Sequence, residues 1–263
     1  MPRKYLWLTD LHVDKLSAAD YAGLINSIVA IKADGLWLTG DLGDPPANWF
    51  FLETLLHQIK LPIYFVLGNH DYYQQRIADV RKKANQLMDT FKQAHYLTSE
   101  AAHIFDEHTL LVGVDGWANT ADIPLTQPTW DSERIIDLQS PSLATLQQAM
   151  NKRAAVDALL LLKKCQQSIG AATKRVYILT HVPPEQARRG QYPVKPVQAR
   201  RAVYYSYTLG GVLDELRLQY PHIHFYVFSG HVHQNQLYTL GHNLTGQLLQ
   251  AYKPANPLTW VSL

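Results

Sequence analysis

The sequence predicts an α/β fold in which a β-sheet carries helices on its faces. Three observations predict it. Short apolar runs alternate with helix-period stretches through the first third of the chain. The 263 residues are 47% apolar and 17% charged, which gives a folded core and excludes a disordered chain. Five apolar runs stop abruptly at Asp, Asn or His, and α/β sheets bind ligands at the carboxyl ends of their strands.

The elements follow in order. Tyr5 to Thr9 is a strand buried on both faces. Ser17 caps a helix with Tyr21, Leu24, Ile25, Ile28 and Ile31 on one face. Leu36 to Thr39 is a second strand, and a helix runs around Phe50 to Gln58. Pro62 opens a third strand, Ile63 to Leu67, and Asp71 caps a helix over roughly Gln74 to Lys92. Residues 102–106 and 110–114 form two strands around a turn at Glu107-His108. Residues 118–141, with three prolines, read as an irregular loop. Ser140-Pro141 starts a long helix, along which Leu143, Leu146, Met150, Ala154, Ala158, Leu161 and Cys165 make one apolar stripe facing a core. Strands return at Val176 to Thr180 and Phe225 to Phe228, with a helix near Leu209 to Gln219 between them. Runs near 236–240, 247–251 and 259–262 close the sheet. No repeat or linker interrupts this order, so residues 1–263 read as a single domain.

The formal net charge of +2 gives no general pull toward nucleic acid or anionic membrane. No apolar run reaches the roughly 18 residues needed to span a bilayer. The N-terminal stretch is too short for a signal peptide. A lone cysteine, Cys165, allows no intrachain disulfide and suits a reducing cytosol, so a cytoplasmic location is expected.

The five strand ends carry the chemistry. They are Asp10-Leu11-His12, Gly40-Asp41-Leu42-Gly43-Asp44, Gly68-Asn69-His70-Asp71, His181 before Pro183-Pro184, and Gly230-His231-Val232-His233. Five such ends in one sheet would gather these side chains around one spot. His and Asp suit Mn, Fe, Zn or Co, and the absence of thiolates excludes a structural Cys zinc site. Asp-x-His and His-x-His on extended backbone send both side chains to the same side. Seven ligands, Asp10, His12, Asp41, Asn69, His181, His231 and His233, exceed what one metal with an open position takes. They fit two metals sharing a carboxylate.

The set resembles the calcineurin-like metallophosphoesterase family, whose pattern is D-x-H, G-D-x-x-D, G-N-H-[D/E], H-x-P-P and G-H-x-H. These motifs stand at residues 10–12, 40–44, 68–71, 181–184 and 230–233. Gly113 to Trp117 is a weaker match to a segment near the active site of some bacterial members. The resemblance implies a four-layer αββα sandwich of two mixed β-sheets flanked by helices. It implies that Asp10, His12, Asp41 and His233 hold one divalent metal ion and that Asp41, Asn69, His181 and His231 hold a second. His70 would face the substrate without binding metal, paired with Asp44. Such a metal pair, about 3.5–4 Å apart, supplies an activated water and neutralises phosphoryl charge. The expected activity is hydrolysis of phosphomonoesters or phosphodiesters, with hydroxide between the metals attacking phosphorus in line and His70 protonating the leaving oxygen.

His222 and His224 precede their apolar run and so lie at the wrong end of the strand for the site. His57, His95, His103, His108 and His242 carry no supporting pattern and read as surface or turn residues. Asp14 and Asp71 read as cap or turn residues. Between His181 and His231 lies a basic cluster, Arg188, Arg189, Lys195, Arg200 and Arg201, interleaved with Tyr192, Tyr204, Tyr205 and Tyr207. It is either a solvated loop or a rim that draws in a phosphorylated ligand, with Arg200 and Arg201 as the substrate contacts. Trp117 and Trp130 are candidates for the pocket wall, or else core or lid residues. The substrate expected is a phosphorylated small molecule or nucleotide. A nuclease needs a longer basic track, and a protein phosphatase of the same fold is the other alternative. The metal identity, the oligomeric state and the substrate itself are not written in these motifs.

Overall fold

The computed structural model describes residues 3–119, 124–188 and 204–263. Of the basic loop, Arg189, Tyr192, Lys195, Arg200 and Arg201 lie outside the described residues.

The strands β1 (Lys4–Leu8), β2 (Gly35–Thr39), β3 (Ile63–Val66) and β4 (Ala94–Tyr96) run parallel, and β11 (Thr259–Ser262) adds antiparallel to β1, giving the order β11-β1-β2-β3-β4. A second sheet has the order β5-β6-β7-β8-β10-β9. Its strands are β5 (His103–Asp106), β6 (Thr109–Gly113), β7 (Arg175–Leu179), β8 (His224–Ser229), β9 (Gln236–Leu240) and β10 (Leu244–Leu248). There β6, β7, β8 and β10 are parallel, and β5 and β9 are antiparallel edges. Both sheets are mixed.

Side-chain alternation explains the layering. In the first sheet Leu6, Leu8, Leu36, Leu38, Ile63 and Phe65 pack with the helices α1 (Ala18–Val29), α2 (Ala47–Gln58) and α3 (Ile77–Thr90). Tyr5, Trp7, Trp37, Tyr64 and Val66 point the other way and meet Leu111, Tyr177, Leu179 and Phe228 of the second sheet. Trp7 and Trp37 both set ring edges against Phe228, at centroid distances of 5.0 and 5.3 Å. The outer face of the second sheet, with Leu110, Val112, Val176, Ile178 and Val227, packs on α5 (Leu143–Ser168) and α6 (Tyr207–Gln219). Helices, sheet, sheet and helices therefore form four layers. Strands buried on both faces read as unbroken apolar runs for this reason.

The structure changes several sequence expectations. The five motif-bearing strand ends do not share a sheet: β1, β2 and β3 belong to one, β7 and β8 to the other. Residues 118–141 are not wholly irregular. Thr129 and Ser132 form a capping box that starts α4 (Trp130–Arg134), and a 3-10 turn follows at Ile136–Leu138. Asp71 caps no helix. It sits in a 3-10 turn, His70–Tyr72, while Arg76 stands at the N-cap of α3. The strand β4, three residues long, is too short to leave a period, and β10 begins three residues ahead of its expected place. The stripe of α5 does not serve one core. Leu146, Met150 and Ala154 join the first, and Ala158, Leu161 and Cys165 join the second.

Candidate metal centre

The parallel strands of both sheets end along one shared edge, and the loops leaving them are stitched together by backbone hydrogen bonds. The amides of Asp10 and His12 donate to the carbonyls of Gly40 and Asp41 at 3.0 and 3.1 Å, and Gly230 donates to His181 at 3.1 Å. The His231 amide crosses between the sheets to the Asp10 carboxylate at 3.0 Å. The space allows no side chain at the neighbouring glycines. A Cβ on Gly68 would stand 2.2 Å from Asp41 Oδ1, and one on Gly230 2.0 Å from Asp10 Oδ2.

Five of the seven expected ligands, Asp10, His12, Asp41, His231 and His233, have φ between 43° and 69°. This left-handed region is disfavoured for residues with a Cβ, and such strain gathers at sites whose surroundings enforce it. Each turn aims its side chain back into the common space.

Two donor groups result. Asp10, His12, Asp41 and His233 form one, and Asp41, His181 and His231 the other, each with its ligand atoms within 4.8 Å of one another. Asp41 belongs to both. In the first, His233 Nε2 is 3.1 Å from Asp10 Oδ1 and 3.4 Å from His12 Nε2, while His12 Nε2 is 3.8 Å from Asp41 Oδ2. In the second, His181 Nε2 is 3.3 Å from Asp41 Oδ1, 3.1 Å from Asn69 Oδ1 and 3.2 Å from His231 Nδ1. Nitrogen and oxygen donors converging this closely, most of them buried, fit a pair of divalent ions and nothing bulkier.

Neighbouring groups fix the donors' orientation. His181 Nδ1 is 2.8 Å from the Thr39 carbonyl, which can only accept, so the proton sits on Nδ1 and Nε2 faces the other ligands. Asn69 Nδ2 donates to Asp131 Oδ1 at 2.8 Å and to the Tyr73 hydroxyl at 3.1 Å, so its Oδ1 turns to His181. Asp71 accepts from the amides of Asp41, Leu42 and Gly68 at 2.9, 3.2 and 2.8 Å and from Asn48 Nδ2 at 3.2 Å. It braces the turn that presents Asp41.

Electrostatics agree with a cation site. Burial pushes the His12 imidazole down to about 4, with partial opposition from Asp41, so it stands neutral and able to bind metal. Burial would likewise depress His181, but Asp41 and Asp10 overcome it and raise that group to about 10. Burial works against ionising Asp41, yet His181 holds its carboxyl well below the usual range. Two buried carboxylates, Asp10 and Asp41, share the space, and a pair of cations would relieve their repulsion.

Beside the donors, His70 Nδ1 lies 2.6 Å from Asp44 Oδ1, which leaves Nε2 as the ring nitrogen for a reacting group. The His70 ring stands 4.5 Å from that of His12 and 4.4 Å from that of Tyr73. Arg134 places Nη1 3.8 Å from Asp44 Oδ2, and its guanidinium lies 4.3 Å from the Trp130 ring centroid. Trp130 is 62% exposed. Arg134 and Asp131 are missed by sequence reasoning because α4 leaves no period; the available signal is Thr129 three residues before Ser132, a capping box without the usual Glu or Gln. Trp117 is buried against Tyr72 in the first core, 5.0 Å between ring centroids, and so gains no support as a substrate contact. Tyr204 stands 6.3 Å from the His231 ring. His224 pairs with Thr245 at the start of β8, away from the site.

The 113–117 segment contributes through Asp115. Its carboxylate accepts from the Leu67 amide, Thr98 Oγ1 and the hydroxyls of Tyr72 and Tyr96, and pairs with Arg81 at 3.1 Å. Its carbonyl accepts the His181 amide at 2.9 Å. One residue, through its carboxylate and its carbonyl, thus ties the end of β3 to the end of β7.

Two donor groups sharing a carboxylate, at the common edge of an αββα sandwich, could hold two divalent ions, and they belong to a metal-dependent hydrolase. The chain belongs to the calcineurin-like phosphoesterase family, whose model matches residues 3–235. Solved structures with the same fold include the phosphopantetheinyl hydrolase of Mycobacterium tuberculosis, with 10% identity, a TM-score of 0.58 and coverage of 94% of this chain and 89% of that one. The protein TT1561 of Thermus thermophilus aligns with 14% identity and a TM-score of 0.56, covering 95% and 91%. A dimetal phosphatase from Danio rerio aligns with 13% identity and a TM-score of 0.54, covering 98% and 91%. No curated protein matches the chain. No helix among the described residues is long and apolar enough to cross a membrane.

Proposed function

We propose that the protein hydrolyses phosphomonoesters or phosphodiesters of small molecules or nucleotides, in the cytoplasm. Asp10, His12, Asp41 and His233 would hold one metal ion, and Asp41, Asn69, His181 and His231 the other. The observation that carries this reading is the sharing of Asp41 by two donor groups, with the His70–Asp44 pair at their margin. When bound, a divalent pair supplies Lewis acidity toward the phosphoryl oxygens and a water of lowered pKa, with Mn, Fe and Zn all compatible with these donors.

The chain's own residues do the rest. Asp44 holds His70 through Nδ1 and orients the ring, so that Nε2 would face the leaving oxygen and pass it a proton as the ester bond breaks. Arg134, beside Asp44, adds positive charge where a phosphate enters.

A turnover screen with added Mn tests the reading, using nitrophenyl phosphate, bis-nitrophenyl phosphate, cyclic nucleotides and single-stranded DNA. Activity on the first three classes is expected; activity confined to DNA would replace the reading with a nuclease. His70→Ala should keep its metal by elemental analysis and lose roughly 10²–10⁴-fold in kcat on alkyl esters, with a smaller loss on nitrophenyl esters. Unchanged turnover in the metal-replete variant removes His70 from the chemistry.

A further inference from the structure

A second cluster of metal-binding side chains lies on the far strands of the two sheets. His95 is the middle residue of β4, the edge of the first sheet, and is in register with Tyr64 of β3. His103 opens β5, the edge of the second sheet, opposite Leu111. Glu100 sits in the connection between them. His95 Nδ1 is 3.3 Å from Glu100 Oε1, and His103 Nε2 is 2.9 Å from Glu100 Oε2. The three ligand atoms fall within 4.8 Å of one another.

The sequence pattern marks both histidines only as surface or turn residues. The structure places them half-buried, with side chains 23% and 22% exposed and Glu100 at 29%. Their rings are held rather than loose. His95 stacks on Tyr64 at 4.8 Å and 17°, and His103 sets its edge against the same ring at 5.0 Å and 81°. The two imidazoles meet at 75° with centroids 4.8 Å apart. They approach the carboxylate from different directions.

We propose that His95, Glu100 and His103 form a separate site for one zinc ion, which clips the edge of one sheet to the edge of the other. Two imidazoles and a carboxylate are a recurrent three-ligand set for zinc, leaving a fourth position for water. Zinc–ligand bonds of about 2.0–2.2 Å in a tetrahedron require donors about 3.3 Å apart; His95 Nδ1 stands at that distance from Glu100 Oε1, and His103 Nε2 stands somewhat closer to the other oxygen, Oε2. None of the three residues belongs to the dinuclear donor groups, so the site can be emptied without touching the hydrolytic centre.

The test counts zinc. Protein stripped with chelator and dialysed is titrated with zinc chloride at neutral pH, with calorimetry and elemental analysis. Wild type is expected to bind three equivalents. His103→Gln and Glu100→Gln are each expected to bind two, with nitrophenyl phosphate turnover within twofold of wild type. Asp41→Asn should still bind zinc at the His95 site, and cobalt placed there should show tetrahedral absorption bands that His103→Gln abolishes. A wild-type readout covers the case in which a variant misfolds: the imidazole nitrogen resonances of His95 and His103 should shift as zinc is added. Equal zinc stoichiometry in wild type and folded His103→Gln, or no shift of those two resonances, overturns the proposal. Either result would mean that Glu100 only bridges the two histidines by hydrogen bonds.

Discussion

Asp71 shows how much one buried side chain can decide. It accepts four N–H donors, three of them from the backbone that presents Asp41 and Gly68. Asp71→Ala leaves those donors buried and unpaired, at about 1–3 kcal/mol for each that water cannot reach. The variant is expected to lose at least about 3 kcal/mol in urea unfolding and to bind Mn more weakly; wild-type stability would mean that water replaces the carboxylate freely. Lys164 gives a prediction with a sign in pH. Its ammonium is buried and donates to the carbonyls of Leu97, Thr98 and Gly113. Burial lowers its pKa from 10.5 to about 8, against the pull of Asp115 and Asp157. Between those values the unfolded chain holds a proton that the folded chain has released, so this group's contribution to stability rises with pH and is lost as pH falls through about 8. The stability difference between wild type and Lys164→Met should therefore move toward wild type by roughly 2–3 kcal/mol from about pH 7 to about pH 10. A difference flat in pH shows that Lys164 stays charged in the fold.

Among the elements, α4 matters most for its size. Its five residues deliver Asp131 to Asn69, and Arg134 and Trp130 to the rim beside Asp44. The helix rests on the reciprocal cap between Thr129 and Ser132. Thr129→Ala is expected to cost about 1 kcal/mol locally. Amide exchange in 129–135 should rise, and the KM for small phosphate esters should increase several-fold with little change in global stability. Unaltered exchange there would show that packing of Ile135, and not the cap, holds the helix. The helix α5 has a legible start, since Ser142 accepts from the Thr145 amide near the expected Ser140-Pro141. Its division between two cores is not legible, because a periodic stripe records which face is apolar and not what covers it.

Across the whole molecule, metal binding at these groups would be coupled to folding. Loops from both sheets meet at the donor groups and their braces, and two buried carboxylates repel one another there. Chelation should therefore lower the thermal midpoint, and Mn should restore it. An ion present at about 100 times its dissociation constant adds about 2.7 kcal/mol, which for a chain of this size is about 5–10 °C. Asp41→Asn, which weakens both donor groups, should abolish most of that rise. An equal rise in wild type and Asp41→Asn would show that the ions bind elsewhere.

Legibility of the fold follows from the same physics. Strands β1, β2, β3, β7 and β8 are plain in the sequence because burial on both faces demands continuous apolar runs, and their expected boundaries differ from the structure by about one residue. The motif residues are plain because Asp, Asn and His stand out where an apolar run stops. The three-residue β4 and the short α4 are not, since neither is long enough to express a period.

By itself the amino-acid sequence determined the α/β class, the strand ends where Asp, Asn and His gather and the donor types offered there, because each is written in local composition and spacing. The family resemblance implied two sheets, and the tertiary structure decided which ends come from each: β1, β2 and β3 from one, β7 and β8 from the other. It decided that five donors sit on left-handed backbone, that Asp71 and Asp115 brace the loops, and that His95 and His103 meet across the sheet edges around Glu100. Those facts depend on contacts between residues far apart in the chain, and only the packing of sheet on sheet brings such residues within reach of one another.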